Sequence, residues 1–377
     1  VPSKAIIKSA KVAEQMRDGE KYGLENTMPH FSFKKVMARV HDVIAEIAPH
    51  DSVERYTDLG VEVLKGYAKL IDPWTVEVTL NDGGTQTLTA RTIVLATGAR
   101  PFVPPLPGIE ETGYVTSDTL WEKFATLDET PKKLVVLGGG PIGSELAQAF
   151  ARLGSDVTQI ERSTRLMKKE DKEVSEFAQN ALEASGVTVL TSHQAVRCEI
   201  RDGKKYIIVQ QLGDEDQSSQ QKGLQENLQP EMALEYDELL CAVGRSARLE
   251  GYGLEALGIE TDRTVVTNEY LETLYPNIYA AGDIVGPYQF THVASHQGWY
   301  AAVNGLFGHF KKFKVDYRVI PWTTFIDPEV ARVGLNEQEA IDKGIDFEVT
   351  RYDFEELDRA ITDSAAKGFI KVITPKG

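Results

Sequence analysis

The stretch that decides the fold is LVVLGGGPIGSELAQAFARLGSDVTQIE, residues 134–161. It begins with a short apolar run that is typical of a buried parallel strand, and glycines follow in G-x-G-x-x-G spacing at Gly138, Gly140 and Gly143. Such glycines allow a tight turn, the approach of a pyrophosphate to bare backbone, and close packing of helix on strand. Apolar residues at helical spacing come next, and a second strand ends in Glu161. Together these features predict a dinucleotide-binding unit.

The acid at the end of the second strand bears on the choice of nucleotide. Glu161 is placed to accept a hydrogen bond from a ribose 2′-hydroxyl, and its charge would repel a 2′-phosphate. Arg162 and Arg165 lie close enough in sequence to favour such a phosphate instead. The pattern therefore favours NAD over NADP and leaves NADP open.

Composition excludes several classes of function. The 377 residues suit two or three domains, and a formal net charge of −16 argues against binding to nucleic acid or to an anionic membrane surface. No stretch approaches the roughly 18 uninterrupted apolar residues of a membrane-spanning helix. The two cysteines, Cys198 and Cys241, lie in no motif and are interpreted as plain structural residues. Their scarcity fits a reducing compartment.

Periodicity divides the chain into regions. Residues 1–50 carry helical patterns, whereas residues 61–95 are typical of short strands in a small antiparallel unit. A polar, glutamine-rich run at 213–232 is interpreted as a solvated excursion within a hairpin. From residue 317 the pattern becomes strand, helix, strand, and the helix is predicted to begin after an Asn336 cap.

Two further strand ends carry glycine turns. Residues 94–99, VLATGA, and residues 278–283, IYAAGD, are each predicted to form a buried strand that ends in a glycine. Open α/β sheets bind cofactors at the carboxyl ends of their strands, and Asp283 can accept hydrogen bonds from the hydroxyls of a sugar-like chain. Either turn alone is better interpreted as an ordinary strand end. On both sides of a dinucleotide-binding unit, the two predict a second nucleotide site.

An ordered set of motifs carries a resemblance to a known family. The set comprises VPSK at 1–4, ATGARP at 96–101, GGGPIGSE at 138–145, AVGR at 242–245, AAGD at 280–283 and FTHVA at 290–294. In this collinear order the chain resembles the FAD-dependent pyridine nucleotide–disulfide oxidoreductases, which include dihydrolipoamide dehydrogenase, glutathione reductase and mercuric reductase. The run at 321–340, PWTTFIDPEVARVGLNEQEA, is most similar to the mercuric-reductase-like branch.

The resemblance implies an α/β fold with two Rossmann-like, three-layer nucleotide-binding domains and part of an α+β dimerisation domain. An FAD-binding domain would take residues 1–116 and 246–316, an NAD(P)-binding domain residues 117–245, and the interface domain residues 317–377. The resemblance also implies a piece of a longer enzyme, truncated at both ends. In the family, VPSK follows the second cysteine of a C-x-x-x-x-C redox pair, an FAD fingerprint lies farther upstream, and a histidine-containing tail completes the partner subunit's active site.

The resemblance assigns catalytic roles to one ion pair. Lys4 matches the lysine that lies near flavin N5, and Glu145 matches its partner, so the two are expected within salt-bridge distance. A buried ammonium needs a carboxylate, and a cation beside N5 would favour the arrival of hydride there. Taken alone, Lys4 would be interpreted as a surface lysine and Glu145 as a carboxylate in the first turn of a helix.

Cofactor contacts are implied in the same way. The helix that starts near residue 291 would face the flavin pyrimidine with its backbone amides, so its histidine need not act in catalysis. The residues matched to FAD contacts are Lys4, Ala96, Thr97, Gly98, Gly282, Asp283, Thr291, His292 and Val293. Those matched to NAD(P) contacts are Gly138, Gly140, Pro141, Ile142, Gly143, Glu161, Arg162 and Gly244.

The implied enzyme is a homodimer that passes hydride from NAD(P)H to FAD, and electrons then to a redox disulfide and a substrate. The substrate stays open between a small-molecule disulfide, a lipoamide-like dithiol, a quinone and a metal ion, Hg(II). Two alternatives also stay open: an FAD-dependent NADH–acceptor reductase without redox cysteines, and a redox-inert nucleotide-binding module. No nucleic-acid partner, bound metal or membrane segment is expected, and the expected location is the cytoplasm or an organelle interior.

Overall fold

The computed structural model describes residues 1–213 and 230–376. The chain folds into two units. The first unit contains Val1–Ile47, Pro101–Gly244 and Pro321–Gly377, and the second contains Ala48–Arg100 and Arg245–Ile320.

The regular elements are as follows. The helices of the described residues are α1 Pro2–Arg17, α2 Phe33–Ile47, α3 Val53–Asp58, α4 Ile109–Thr112, α5 Leu120–Ala125, α6 Pro141–Arg152, α7 Lys172–Ala184, α8 Thr291–Phe307, α9 Glu337–Asp342 and α10 Asp358–Thr362. Their strands are β1 Gly66–Asp72, β2 Thr75–Leu80, β3 Thr85–Thr89, β4 Ile93–Leu95, β5 Ala99–Pro101, β6 Val115–Thr116, β7 Lys133–Leu137, β8 Asp156–Ile160, β9 Val187–Leu190, β10 His193–Arg201, β11 Lys204–Gln211, β12 Glu231–Tyr236, β13 Glu238–Cys241, β14 Arg245–Ala247, β15 Thr261–Asp262, β16 Thr264–Val265, β17 Ile278–Ala280, β18 Pro321–Thr324, β19 Val330–Val333, β20 Phe347–Asp353 and β21 Phe369–Pro375.

A five-stranded parallel sheet, in the order β6-β13-β7-β8-β9, forms the centre of the first unit. Its middle strand β7 is buried on both faces. Leu134 and Val136 pack into a core shared with α1, α2 and α6, whereas Val135 and Leu137 pack into a core shared with the antiparallel sheet β10-β11-β12. The uninterrupted apolar run in the sequence reflects this burial on both faces. The unit therefore has three layers, the third being a β-sheet.

The C-terminal part of the first unit follows its predicted order of strand, helix and strand. Strand β18 pairs with β19, and β20 pairs with β21, both antiparallel. The predicted cap of α9 is confirmed: Asn336 Oδ1 accepts from the Glu339 amide at 2.8 Å, and the Glu339 carboxylate accepts from the Asn336 amide at 3.2 Å. This reciprocal capping box satisfies two amides that the helix itself leaves without partners.

The second unit is built on an antiparallel meander and a parallel strand pair. The meander has the order β1-β2-β3, and β4 pairs in parallel with β17. The prediction that residues 94–99 begin as a buried strand is wrong in part, because Val94 is 42% exposed. Among the described residues β4 pairs only with β17, so one edge of this short strand has no partner strand.

The fold bears on the predicted end of α2, on the predicted hairpin and on the predicted domains. Helix α2 ends at Ile47, two residues before Pro49, as the sequence indicates. Strands β11 and β12 form the predicted hairpin, while most of the polar run at 213–232 lies outside the described residues. Residues Val1–Ile47 share a unit with the parallel sheet, and the four-segment domain assignment stays a prediction. In the described part of the chain, no helix is long and apolar enough to cross a membrane.

Candidate functional site

The glycine turn joins β7 to α6, and two of its glycines are required by packing. Gly138 has a φ of 114°, and a Cβ there would lie 2.4 Å from the carbonyl oxygen of Ala242. Gly143, in the first turn of α6, would place a Cβ 2.3 Å from the carbonyl oxygen of Gly138. Gly143 must therefore stay free of a side chain for α6 to lie this close to the turn after β7, and Gly138 for the backbone after β13 to pass beside that turn.

The middle glycine of the turn is different. Gly140 has ordinary backbone angles, φ −79° and ψ 178°, and a Cβ there would meet no described atom within 4 Å. It is the N-cap of α6, which starts at Pro141. The next residue, Ile142, is 37% exposed. The open space thus lies at the N-terminus of a twelve-residue helix, where unpaired amides and the helix dipole attract anions. The turn fits the pyrophosphate of a dinucleotide.

Glu161 closes the other side of this turn. One carboxylate oxygen accepts from the Gly139 amide at 2.6 Å, and the other accepts from the Ser163 amide at 2.6 Å. The side chain is therefore held by backbone at the end of β8. Because an ionised carboxylate offers about four lone-pair sites, the two amide bonds leave capacity for ribose hydroxyls.

The two arginines after Glu161 differ in their surroundings. Arg165 is half-buried, and its Nη2 donates to the carbonyl oxygens of Lys168 at 3.2 Å and Glu170 at 3.1 Å. Arg162 is exposed. Gly244, also matched to the nucleotide, follows β13 with a φ of 134°, and a Cβ there would meet no described atom within 4 Å.

The expected ion pair between α1 and α6 is present. Lys4 Nζ lies 2.6 Å from Glu145 Oε2. The Glu145 side chain is only 5% exposed and the Lys4 side chain is 45% exposed, so a buried carboxylate holds an ammonium that reaches the surface of the unit. The second oxygen of Glu145 accepts from the Phe325 amide at 2.9 Å. The pair is confirmed, and its role at a flavin stays a prediction.

In the second unit, the pair β4–β17 brings the two predicted glycine turns side by side. Leu95 lies opposite Ala280, and the Ala281 amide donates to the Leu95 carbonyl at 2.9 Å. Residues 96–98 and 282–283 therefore leave the sheet next to each other, at the carboxyl ends of parallel strands. This is the position at which open α/β sheets bind cofactors.

Both turns have backbone that a cofactor can approach. Gly98 and Gly282 have φ of 69° and 82°, which favours glycine at each. A Cβ at Gly98 would meet no described atom within 4 Å, whereas one at Gly282 would lie 3.3 Å from the Ala294 side chain in α8. Beside Gly98, the Thr97 hydroxyl donates to the Arg248 carbonyl at 3.2 Å. Gly98 therefore faces open space, and Gly282 allows α8 to pack closely.

Asp283 supplies a half-buried acceptor beside these turns. Burial raises the pKa of its carboxyl group, and the nearby Arg245 guanidinium opposes that shift. Arg245 Nε lies 3.7 Å from Asp283 Oδ2, which is an ion pair but too long for a hydrogen bond. The carboxylate keeps capacity to accept hydrogen bonds, which fits the hydroxyl-bearing chain of a flavin nucleotide.

Helix α8 presents its N-terminus in this unit. It begins at Thr291 after an extended N-cap, Phe290, and no side chain caps it. Thr291 and His292 are exposed, and Val293 is buried. The His292 ring stacks on Phe290 with the ring centroids 5.4 Å apart. Backbone amides at the start of this seventeen-residue helix can stabilise negative charge without a catalytic histidine.

One buried residue joins α8 to the AAGD turn, and the sequence does not single it out. Gln297 is fully buried, and its Oε1 accepts from the Gly282 amide at 2.7 Å. Its Nε2 donates to the Gly286 carbonyl at 2.7 Å and to the Tyr317 hydroxyl at 2.8 Å. In the sequence it is one of two side-chain amides, with Asn304, in a largely apolar helical run. The contact that gives it meaning is long-range.

Residues 1–213 and 230–376 include both cysteines of the chain. In those ranges no group of three histidine, cysteine, aspartate or glutamate side chains is arranged to hold a metal ion. Cys198 and Cys241 are free and buried, and burial raises the pKa of both, that of Cys241 to about 12. A thiol with a raised pKa is protonated at neutral pH and a weak nucleophile, which suits structural residues.

Comparison with known sequences gives a consistent result. Residues 1–298 match the family model described as pyridine nucleotide-disulphide oxidoreductase, and residues 320–377 match that family's dimerisation domain. The chain is 34% identical to a mercuric reductase of Streptomyces lividans over all of this chain and 75% of that protein. It is 31% identical to a mercuric reductase of Staphylococcus aureus over 99% of this chain and 64% of that protein. A dihydrolipoyl dehydrogenase of Chlamydia pneumoniae is 32% identical, over 99% of this chain and 75% of its own.

Solved structures agree in fold. The HOCl-induced flavoprotein disulfide reductase RclA of Escherichia coli is 25% identical with a TM-score of 0.77, over 99% of this chain and 76% of that one. LpdA of Mycobacterium tuberculosis, 23% identical, has a TM-score of 0.83 over 100% of this chain and 77% of its own, which supports the fold alone. The predicted fold class is confirmed. The chain belongs to the pyridine nucleotide–disulphide oxidoreductase family, whose enzymes use FAD together with NAD(P)H.

Proposed function

We propose that the full-length protein is a homodimeric oxidoreductase that passes hydride from NAD(P)H to FAD, and electrons then to a redox disulfide and a substrate. The observation that carries this proposal is helix α6. The glycine turn leads into its N-terminus and leaves open space at Gly140. One turn farther along the helix, the Glu145 carboxylate binds the Lys4 ammonium at 2.6 Å. One short helix thus offers both a pyrophosphate site and the counter-ion of a candidate flavin-site ammonium.

Each candidate residue has a task that its surroundings support. When bound, the nicotinamide and the flavin supply the hydride chemistry. The amides at the start of α6 bind the pyrophosphate, and Glu161 accepts from a ribose hydroxyl. In the second unit Asp283 accepts from the hydroxyls of the flavin nucleotide, and the N-terminus of α8 stabilises negative charge. Glu145 orients the Lys4 ammonium, which favours hydride arriving at the flavin.

The preferred nucleotide in this proposal is NADH. The Glu161 carboxylate is fixed by two amides at 2.6 Å, so it cannot easily withdraw from a 2′-phosphate, which it would repel. Arg165 is engaged with the carbonyls of Lys168 and Glu170, which leaves the exposed Arg162 as the cation best placed to offset that repulsion. A single exposed arginine interacts weakly with an anion in water.

The test is anaerobic reduction of the bound flavin in the full-length protein. NADH is expected to bleach the visible flavin absorbance at a lower concentration than NADPH does. Hg(II), oxidised lipoamide, a small disulfide and a quinone are then added separately, and the compound that restores the absorbance with turnover identifies the substrate class. A flavin that neither nucleotide bleaches would refute the proposal.

A second experiment, alkylation of the reduced protein, distinguishes the disulfide enzyme from an NADH–acceptor reductase without redox cysteines. The protein is reduced with NADH, alkylated with iodoacetamide, freed of reagent and assayed again. Alkylation is expected to abolish turnover with the substrate while flavin bleaching by NADH persists. Unchanged turnover after complete alkylation of accessible thiols would favour the acceptor reductase.

A further inference from the structure

Three side chains on one face of α6 bind a short segment that follows β18. We call residues 325–327 the strap; it lies in the part of the chain that matches the family's dimerisation domain. Glu145, Gln148 and Arg152 bind it, and spacings of three and four residues place them on one side of the helix. A helix that faces a nucleotide with its N-terminus therefore contacts the dimerisation segment with its side.

The strap reaches the Lys4–Glu145 pair through Phe325. The Phe325 amide donates to Glu145 Oε1 at 2.9 Å, while Lys4 Nζ donates to Glu145 Oε2 at 2.6 Å. The Phe325 ring also lies under the ammonium, with Lys4 Nζ 4.5 Å from the ring centroid. This distance is within the range of a cation–π interaction. The same residue thus fixes the carboxylate by its backbone and contacts the ammonium by its side chain.

Asp327 anchors the other end of the strap. Gln148, which is 4% exposed, accepts from the Asp327 amide at 2.7 Å and donates to the Asp327 carbonyl at 2.9 Å. The Asp327 carboxylate accepts from Arg152 at 2.8 Å and from Lys11 at 3.1 Å. Burial would raise the pKa of Asp327, but these two cations outweigh burial and lower it. The strap is therefore held to both α1 and α6.

From these contacts we infer that the strap is a positioning element for Lys4, so that the dimerisation segment helps to set the reactivity of the flavin. Phe325 acts directly on the ion pair, and Asp327 acts through the backbone of the strap. The inference rests on the proposed function, in which Lys4 serves the flavin. It adds that residues outside both nucleotide sites control the position of that charge.

The test compares strap variants of the full-length flavoprotein. Phe325→Leu keeps the amide and removes the ring, Phe325→Tyr keeps both, and Asp327→Asn weakens the anchor. Flavin reduction by NADH is measured by anaerobic stopped-flow at several pH values, together with the flavin midpoint potential and the affinity for NADH. Lys34→Gln, which removes an exposed ion pair with Asp128 on the same unit, is the matched control.

Phe325→Leu is expected to slow flavin reduction about two- to fivefold, the size of one partly exposed cation–π contact, and to lower the midpoint potential. Asp327→Asn, which acts on that contact through the backbone of the strap, is expected to change both quantities in the same direction. NADH affinity should be unchanged, and Phe325→Tyr and Lys34→Gln should match the wild type. A merely structural role would reduce flavin content or thermal stability without shifting the potential of the flavin that remains bound.

Three results would overturn the inference, and they differ in what else they affect. If Phe325→Leu and Asp327→Asn retain wild-type rate, potential and pH profile while Lys4→Met is slow, only the role of the strap fails. If Lys4→Met also behaves as the wild type, the assignment of Lys4 to the flavin fails with it. If neither nucleotide reduces the wild-type flavin, the proposed function itself fails.

Discussion

Replacing two glycines of the same turn by alanine should separate folding from nucleotide binding. At Gly143 a Cβ would lie 2.3 Å from a backbone oxygen, which cannot rotate away, so helix α6 must shift from the sheet. Overpacking of this kind costs up to about 3 kcal/mol, and the higher helix propensity of alanine offsets about 1 kcal/mol. Gly143→Ala should therefore lower the free energy of unfolding by about 2 kcal/mol.

Gly140→Ala should have the opposite profile. The new Cβ meets no described atom, and the backbone angles suit alanine. The reduced entropy of the unfolded chain stabilises by about 0.4–1 kcal/mol, and the poorer N-cap costs a similar amount, so stability should change by less than about 0.5 kcal/mol. Affinity for NADH should fall about tenfold or more, because one lost backbone contact with a charged group is worth about 1.5–3 kcal/mol.

Urea denaturation and calorimetric titration with NADH on the full-length protein measure both quantities. Gly298→Ala is the matched control, because Gly298 lies on α8 and a Cβ there also meets no described atom within 4 Å. This variant should leave NADH affinity unchanged. Wild-type affinity in Gly140→Ala would show that the pyrophosphate does not use this space. Full stability in Gly143→Ala would show that close helix–strand contact is not what requires glycine.

Three further predictions concern single residues. Glu161→Ser should reduce the preference for NADH over NADPH about tenfold, measured as the ratio of the two dissociation constants, because the fixed negative charge is removed. Asn336→Ala should lower the free energy of unfolding by about 1 kcal/mol in urea, through loss of the capping box. Lys371→Met should lower the free energy of unfolding by about 2 kcal/mol, because it removes a 9% exposed ammonium that has three carboxylate partners. Two of those carboxylates are partly exposed, which limits the cost. Ion pairing outweighs burial, so it raises the pKa of Lys371 and lowers the pKa of Asp171. The loss of unfolding free energy in Lys371→Met should therefore be full between about pH 5 and 10. It should vanish in acid, as the pH falls through the lowered pKa of Asp171.

Local patterns were sufficient to predict much of the fold and the nucleotide turn. The close contact of Gly143 with Gly138, the apolar run before Gly138 and the cap of Asn336 each act within a few residues, so the sequence alone displays their physical cause. The contact that requires glycine at position 138 is made with Ala242 and is long-range. Gln297 could not be predicted in this way. Its function depends on Gly282 and Tyr317, which lie 15 and 20 residues away and meet it only after folding.

The buried polar face of α6 shows why the flavin-site assignment needs more than a motif. Ser144, Glu145 and Gln148 are each less than 5% exposed, although helical patterning alone would place such residues on the solvent side. A buried polar group without a partner costs about 1–3 kcal/mol, so partners must exist elsewhere in the chain. Glu145 finds Lys4 141 residues before it and the strap 180 residues after it. Burial alone requires such partners, so the feature that bears on the proposed function is the identity of one of them: the partner of Glu145 is an ammonium, Lys4, which the proposal assigns to a second cofactor.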